Sequence, residues 1–312
     1  MGLFFRRSDR LRKRVKALRG RIKRNEKSVS ALKSRFRQYK KGGRPSRSRT
    51  ESAPRGVASK PCSPAQDFSP ELGAPFRDFL RLLKPKSVAG YDKKRVGSLG
   101  DGGYVMLDDF SGITTAISAG IGRDVSWDLE IARKGIQVLQ FDHTLAGPPA
   151  SHGNFEFRRQ KFVAGNEADE GVTLGQALQT EKGAAAHTVC KMDIGGSEWQ
   201  ILRSALTEDL LAVKQFAIEF HHVSHFVDMA WRQVAEEALG TLIKTHQCVH
   251  VHGNSAGGFA VVGGVPFPQF FEATFVLREA YQFEDCRAVF PTPIDRPNLA
   301  HRSDVYIGTM DY

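Results

Sequence analysis

Ile117-Ser118-Ala119-Gly120-Ile121-Gly122, followed after an amphipathic run by Phe141-Asp142, reads as a strand, a glycine turn, a helix, a second strand and an acidic strand end. Glycines at such a turn let backbone N–H groups approach a ligand, and a carboxylate about 20 residues on can accept both hydroxyls of a ribose. The stretch predicts half of a nucleotide-binding fold with an adenosine-containing ligand. It lacks the third glycine of the dinucleotide fingerprint, so by itself it is also the pattern of an ordinary tight turn.

The surrounding sequence keeps the same rhythm. Helices are expected over 76–83, 126–134, 174–179, 197–205 and 228–244, and strands over 114–118, 136–141, 155–163, 187–192, 215–220 and 249–251. This alternation predicts a mainly parallel sheet covered by helices on both faces. Later strands at 259–262 and 272–277 predict an antiparallel edge. Ligands of such sheets bind beyond the carboxyl ends of the strands. The polar residues collect there: Gly120 and Gly122, then Asp142, then Asp193, then Glu219 with His221 and His222, then His252 with Asn254. The turn Gly100-Asp101-Gly102-Gly103 reads either as a plain hairpin or as a cap that brings Asp101 over one end of the ligand.

The chain has 312 residues, 41% of them hydrophobic, enough to build a substantial core. Its formal charge of +11 divides unevenly. Residues 1–50 hold 20 Lys and Arg against Asp9 and Glu26, about +18, which leaves about −7 for the rest. Leu11, Val15, Leu18, Ile22, Val29, Leu32 and Phe36 form a heptad seam interrupted at Asn25, so residues 1–40 are expected to be a basic helix. A dimeric coiled coil, a cationic helix on an anionic surface and a solvated helix all fit that seam. Val15, Ile22 and Val29 alternating with Leu11, Leu18 and Leu32 favour two parallel strands, whereas Arg12, Arg14, Arg19, Arg21, Lys33 and Arg35 would repel across a homodimer and suit an anionic surface. Residues 41–67, rich in Gly, Ser, Pro and Arg, read as a disordered linker, and 68–312 as the globular domain. Basic residues without interleaved aromatics argue against specific nucleic-acid recognition. Cys62, Cys190, Cys248 and Cys286 form no C-x-x-C pair, and no apolar run would span a bilayer, so a cytoplasmic location is expected, peripheral to a membrane if the arm binds one.

At this point the residues resemble a known family, the FkbM-type S-adenosylmethionine-dependent methyltransferases, over about residues 100–307. The resemblance is carried by Gly100-Asp101-Gly102-Gly103-Tyr104-Val105, Ser118-Ala119-Gly120-Ile121-Gly122-Arg123-Asp124 and Phe141-Asp142. It continues in Lys191-Met192-Asp193-Ile194-Gly195-Gly196-Ser197-Glu198-Trp199, Ile218-Glu219-Phe220-His221, Val249-His250-Val251-His252-Gly253-Asn254 and Phe290-Pro291-Thr292-Pro293-Ile294-Asp295-Arg296-Pro297-Asn298. It implies an α/β class I methyltransferase sheet, Rossmann-like, with seven mostly parallel strands and a final antiparallel hairpin. It also implies S-adenosylmethionine as cofactor and O-methylation of a sugar, glycolipid or secondary metabolite. Two departures stand out. Gly195 replaces the first glutamate of the family's Lys-x-Asp-x-Glu-Gly-x-Glu, which makes a non-catalytic cofactor- or glycan-binding protein the alternative. Ser118 stands where many methyltransferases carry an acid, which shifts the hold on the methionine ammonium to Asp101 or Asp124.

Asp142 is assigned to the ribose diol, Gly120 and Gly122 to close approach of the methionine portion, and Asp193 to the acceptor side of the methyl. His221 or His252 is the expected base, because imidazole titrates near neutrality, with Glu219 as its orienting partner. Asp193, Glu219, His221 and His252 are ligand types that hold divalent ions, but no tight ligand spacing supports a metal, and none is expected. Trp199 and Trp231 are expected to be buried in helix packing, and Cys190 to be a small core residue.

Overall fold

The computed structural model describes residues 66–312, except 169 and 180–186. The expected basic helix and all but the last two residues of the expected linker lie outside the described residues. Those last two are engaged: Gln66 bridges Val261, and the Asp67 N–H donates to the Val261 carbonyl at 2.8 Å. Helix α1 (Pro70–Arg81) starts six residues before the apolar run that predicts it, because Pro70 sits in its first turn, where a missing N–H costs nothing. It buries Phe76, Phe79 and Leu80, and Phe76 packs on Phe226 at 4.9 Å between ring centroids.

Strands β1 (Lys86–Val88), β2 (Lys93–Val96) and β3 (Tyr104–Leu107) precede the main sheet. β2 and β3 pair antiparallel across the turn Gly100–Gly103, so that turn belongs to a hairpin. The main sheet contains β4 (Thr115–Ala119), β5 (Gln137–Phe141), β6 (Phe155–Arg158), β7 (Thr188–Met192), β8 (Val213–Phe220), β9 (His246–Gly253) and β12 (Phe271–Leu277), in the order β6-β5-β4-β7-β8-β12-β9. The missing numbers are a separate hairpin, β10 (Phe259–Val262) with β11 (Val265–Pro268), and β13 (Phe283–Asp285), which pairs with β1. Helices α2 (Ser126–Ala132), α3 (Leu174–Leu178), α4 (Glu198–Ser204), α5 (Thr207–Leu211) and α6 (Met229–Leu242) connect the strands.

β6 to β8 are mutually parallel, and β12 runs antiparallel to both β8 and β9. The sheet is therefore mixed, and its reversed strand is not at the edge, as expected from the sequence, but one strand inside it. β9 covers that flank because β9 and β12 are fully buried and both need a partner ladder. The expected strand over 155–163 ends at Arg158, where the Gln160 N–H turns back to the Arg158 carbonyl. The order of connections reverses between β4 and β7, and the crevice at the carboxyl ends of such a pair is the natural ligand position.

Candidate active site

The strand register places the predicted polar residues in one row. Ala119 pairs with Phe141 and Met192, Met192 with Ile218, Ile218 with Ala273, and Ala273 with Val251. One residue further toward the rim, the row reads Asp142, Gly120, Asp193, Glu219, Glu272 and His252 across six adjacent strands. Asp193 N–H donates to the Ala119 carbonyl and Gly120 N–H to the Phe141 carbonyl, so the alignment persists past the last ladder residues. Gly120 makes this approach feasible. Its φ is +74°, and a Cβ there would lie 1.8 Å from the Asp193 carbonyl oxygen.

At the β5–β4–β7 part of the row lies a cleft of about 240 Å³, lined by Gly120, Asp142 and Asp193 with apolar walls from Phe141, Phe162 and Ile194. Asp142 Oδ1 accepts the Thr144 N–H (2.8 Å) and hydroxyl (2.6 Å), and Oδ2 accepts the Gly122 N–H (3.1 Å). Burial opposes its charge, but these donors outweigh burial and hold its pKa below the usual carboxylate range. The outcome is a fixed carboxylate with acceptor capacity left on Oδ2. Lys191, buried on β7, donates to the Gly120 carbonyl at 3.0 Å and lies over the Tyr104 ring.

Asp193, Glu219 and His221 form the adjoining centre, with one ligand-type atom from each within 4.8 Å of the others. His221 Nε2 lies 3.3 Å from Glu219 Oε1 and 3.8 Å from Asp193 Oδ1, and Tyr104 donates its hydroxyl to Asp193 Oδ2 at 3.3 Å. Glu219 accepts from Asn254 Nδ2 at 2.9 Å on Oε1, while its buried Oε2 has no hydrogen-bond partner among the described residues. Burial, with Asp193, Glu272 and Asp101 close by, pushes Glu219 well above the normal carboxylate range. Burial also raises Asp193, against the pull of Lys191 and His221. Burial opposes the charge of His221, but the fully buried Glu198 carboxylate outweighs it and raises the imidazole pKa.

His252 sits elsewhere. Three strand intervals of about 4.8 Å put it roughly 14 Å along the row from Asp193. Its Nδ1 faces Glu272 Oε2 at 3.2 Å and its Nε2 faces Asp304 Oδ1 at 2.8 Å. Burial disfavours its charge, but the two carboxylates raise its pKa to about 10, so it is an imidazolium at neutral pH. Two amides complete this end: Asn254 and Asn298 each donate to Asp101 (3.4 and 3.1 Å) and also to Glu219 and Glu272 respectively.

The sheet thus brings Gly120, Asp142 and Asp193 to one cleft, with Glu219 and His221 beside it. Gly122 does not line the cleft but donates to Asp142. Asp101 lies on the Glu219–Glu272 side, and Asp124 accepts the Ser126 N–H at 2.9 Å at the start of α2. Ser118 is fully buried. Trp199 is buried against Phe220 (4.5 Å) and donates Nε1 to the His221 carbonyl, and Cys190 is a core residue whose thiol burial pushes up to about 12. The residues without an expected role are Glu198, Tyr104, Lys191, Glu272, Asn298 and Asp304. Glu198, Tyr104, Lys191 and Asn298 lie in the motifs quoted above, a usable signal. Glu272 follows from topology, since an antiparallel strand meets this rim with its amino end.

No family model matches the chain, and no curated protein does. Among solved structures the chain is similar to one described as "Crystal structure of putative S-adenosylmethionine dependent methyltransferase from Listeria monocytogenes". That likeness has 12% identity, covers 55% of this chain and 94% of that chain, and has a TM-score of 0.31. A likeness of that size carries no weight for fold or function.

Proposed function

We propose that the chain is an S-adenosylmethionine-dependent methyltransferase of FkbM type acting on a hydroxyl of a sugar, glycolipid or secondary metabolite. The observation that carries this reading is the anchored Asp142 carboxylate, in the same register row as Gly120 and Asp193 at the switch point of the sheet. The antiparallel pairing of β12 with β9 agrees with the final antiparallel hairpin that the methyltransferase resemblance implies, although β12 lies one strand inside the edge. The residues fit the cofactor: Asp142 for a ribose diol, Phe141, Phe162 and Ile194 for the apolar faces of the nucleoside, and the bare Gly120 turn for close backbone approach. When bound, S-adenosylmethionine supplies an already activated methyl group, so alignment and removal of one proton are what remain for the protein.

Asp193 borders both the cleft and the Glu219–His221 pair, and it is assigned to orient the acceptor hydroxyl between them. The proton leaves toward the Asp193, Glu219 and His221 cluster. His252 is assigned a structural role, because an imidazolium clamped by Glu272 and Asp304 has no free lone pair to act as a base. Asp101, tied by two amides, is assigned to hold the turn 100–103 over the acceptor side.

Gly195 favours a second reading. It lines the cleft where the FkbM pattern has a glutamate, so a cofactor-binding protein without turnover is the alternative. Transfer of radiolabelled methyl to cell-envelope glycan and lipid fractions tests the pair. Transfer that falls to background in Asp193→Ala supports the enzyme. No transfer by the wild type or by Gly195→Glu, in a protein that binds the cofactor, supports the binder.

A further inference from the structure

We infer that Asp193, Glu219 and His221 form a binding site for one divalent cation of the Mn²⁺ and Mg²⁺ class. The three ligands come from the ends of β7 and β8, and one ligand atom from each lies within 4.8 Å of the others, near the spacing of a coordination sphere. Two atoms about 2.1 Å from a common ion and roughly 90–120° apart lie about 3.0–3.7 Å from each other. His221 Nε2 lies 3.3 Å from Glu219 Oε1 and 3.8 Å from Asp193 Oδ1.

Two further observations point to a ligand there. Glu219 is 5% exposed, yet its buried Oε2 has no hydrogen-bond partner among the described residues. A buried polar atom is normally satisfied, and a cation satisfies both oxygens of a carboxylate at once. The second is the orientation of His221. Its Nδ1 is 3.0 Å from Glu198 Oε1, and that carboxylate, fully buried, also accepts the His221 and Gly196 backbone N–H groups. A carboxylate on one ring nitrogen fixes the tautomer and turns the other nitrogen out as a ligand, the usual support of a metal-bound histidine. Here the outward nitrogen faces two carboxylates. Two carboxylates and a neutral imidazole balance a double positive charge. Oxygen predominance selects hard ions, and the single imidazole favours Mn²⁺ over Mg²⁺.

The site goes beyond the methyl-transfer reading and rests on it only for its purpose. Under that reading a cation held there would polarise the acceptor hydroxyl, with coordination positions beyond the three protein ligands left for it. Because a proton competes for Nε2, ion binding is measured directly and without cofactor. The full chain, stripped with chelator and desalted, is titrated with Mn²⁺ while free ion is read by electron paramagnetic resonance. One tightly held Mn²⁺ per chain is expected, with nitrogen hyperfine coupling from a single imidazole. Affinity should fall at least tenfold in Glu219→Gln, and the nitrogen coupling should vanish in His221→Gln. Circular dichroism checks that each variant is folded. No stoichiometric uptake by the wild type, uptake without nitrogen coupling, or unchanged affinity in a folded Glu219→Gln would overturn the site whether or not methyl transfer is found.

Discussion

Glu198 Oε1 receives both the backbone N–H of His221, at 2.7 Å, and its ring Nδ1, at 3.0 Å, while Oε2 takes the Gly196 N–H at 2.8 Å. One fully buried carboxylate thus ties the loop after β7 to the end of β8. Glu198→Ala leaves three donors without this acceptor and should lower unfolding stability by about 3–5 kcal/mol, whereas Glu198→Gln keeps an acceptor oxygen and should cost less. Urea unfolding midpoints compare the two, and equal losses would contradict this role for the carboxylate.

Two glycines with similar backbone angles should respond differently to alanine. Gly120 has φ +74° with the Asp193 carbonyl in the path of a Cβ, so Gly120→Ala must part the ends of β4 and β7 at a cost of about 3 kcal/mol or more. Gly195 has φ +64° with nothing within 4 Å of a Cβ, so Gly195→Ala should cost only about 1 kcal/mol of backbone strain. Thermal unfolding of both variants checks the ranking.

His246 makes stability depend on mildly acidic pH. Val213 O accepts from its Nε2 (2.8 Å), and Thr245 Oγ1 lies 2.8 Å from Nδ1, a pair of contacts that suits the neutral ring. Burial lowers its pKa to about 4. The unfolded chain takes up this proton first, so the stability is complete above about 6.5 and is lost as pH falls toward 4, by about 3 kcal/mol in total. Unfolding free energies across this range should lose that slope in His246→Gln.

Asp109 governs a lower window. Burial opposes its charge, but Lys214 at 2.8 Å, the Ser111 N–H at 3.0 Å and the Tyr281 hydroxyl at 2.9 Å bring its pKa to about 2. Its contribution is complete above about 3.8 and disappears as pH falls to 2, about 2 kcal/mol in all. Asp109→Asn should remove this acid limb while leaving the His246 window intact.

The row of strand ends was largely legible in the sequence because each of its β4, β5, β7 and β8 members follows a short, mainly apolar run that reads as a buried strand. Gly120, Asp142, Asp193 and Glu219 could be read that way. The close spacing of Asp193, Glu219 and His221, apart from His252, could not, since it is set by the register of β7 on β8 and not by distance along the chain. His252 misled for the same reason: it ends its strand on the correct rim, but the reversed β12 intervenes and carries Glu272, which claims the imidazole. Glu198 reads as an ordinary helix-start acid until the chain folds it under His221.

Isothermal titration calorimetry of the full chain with S-adenosylhomocysteine, for the wild type and for Asp142→Ala, measures whether the Asp142 cleft seats the cofactor. A cofactor cleft anchored by Asp142 should show one site in the wild type and affinity about 10–100-fold weaker in the variant, the worth of hydrogen bonds to a charged group. An absence of heat with the wild type, or equal affinity in the two proteins, would contradict it.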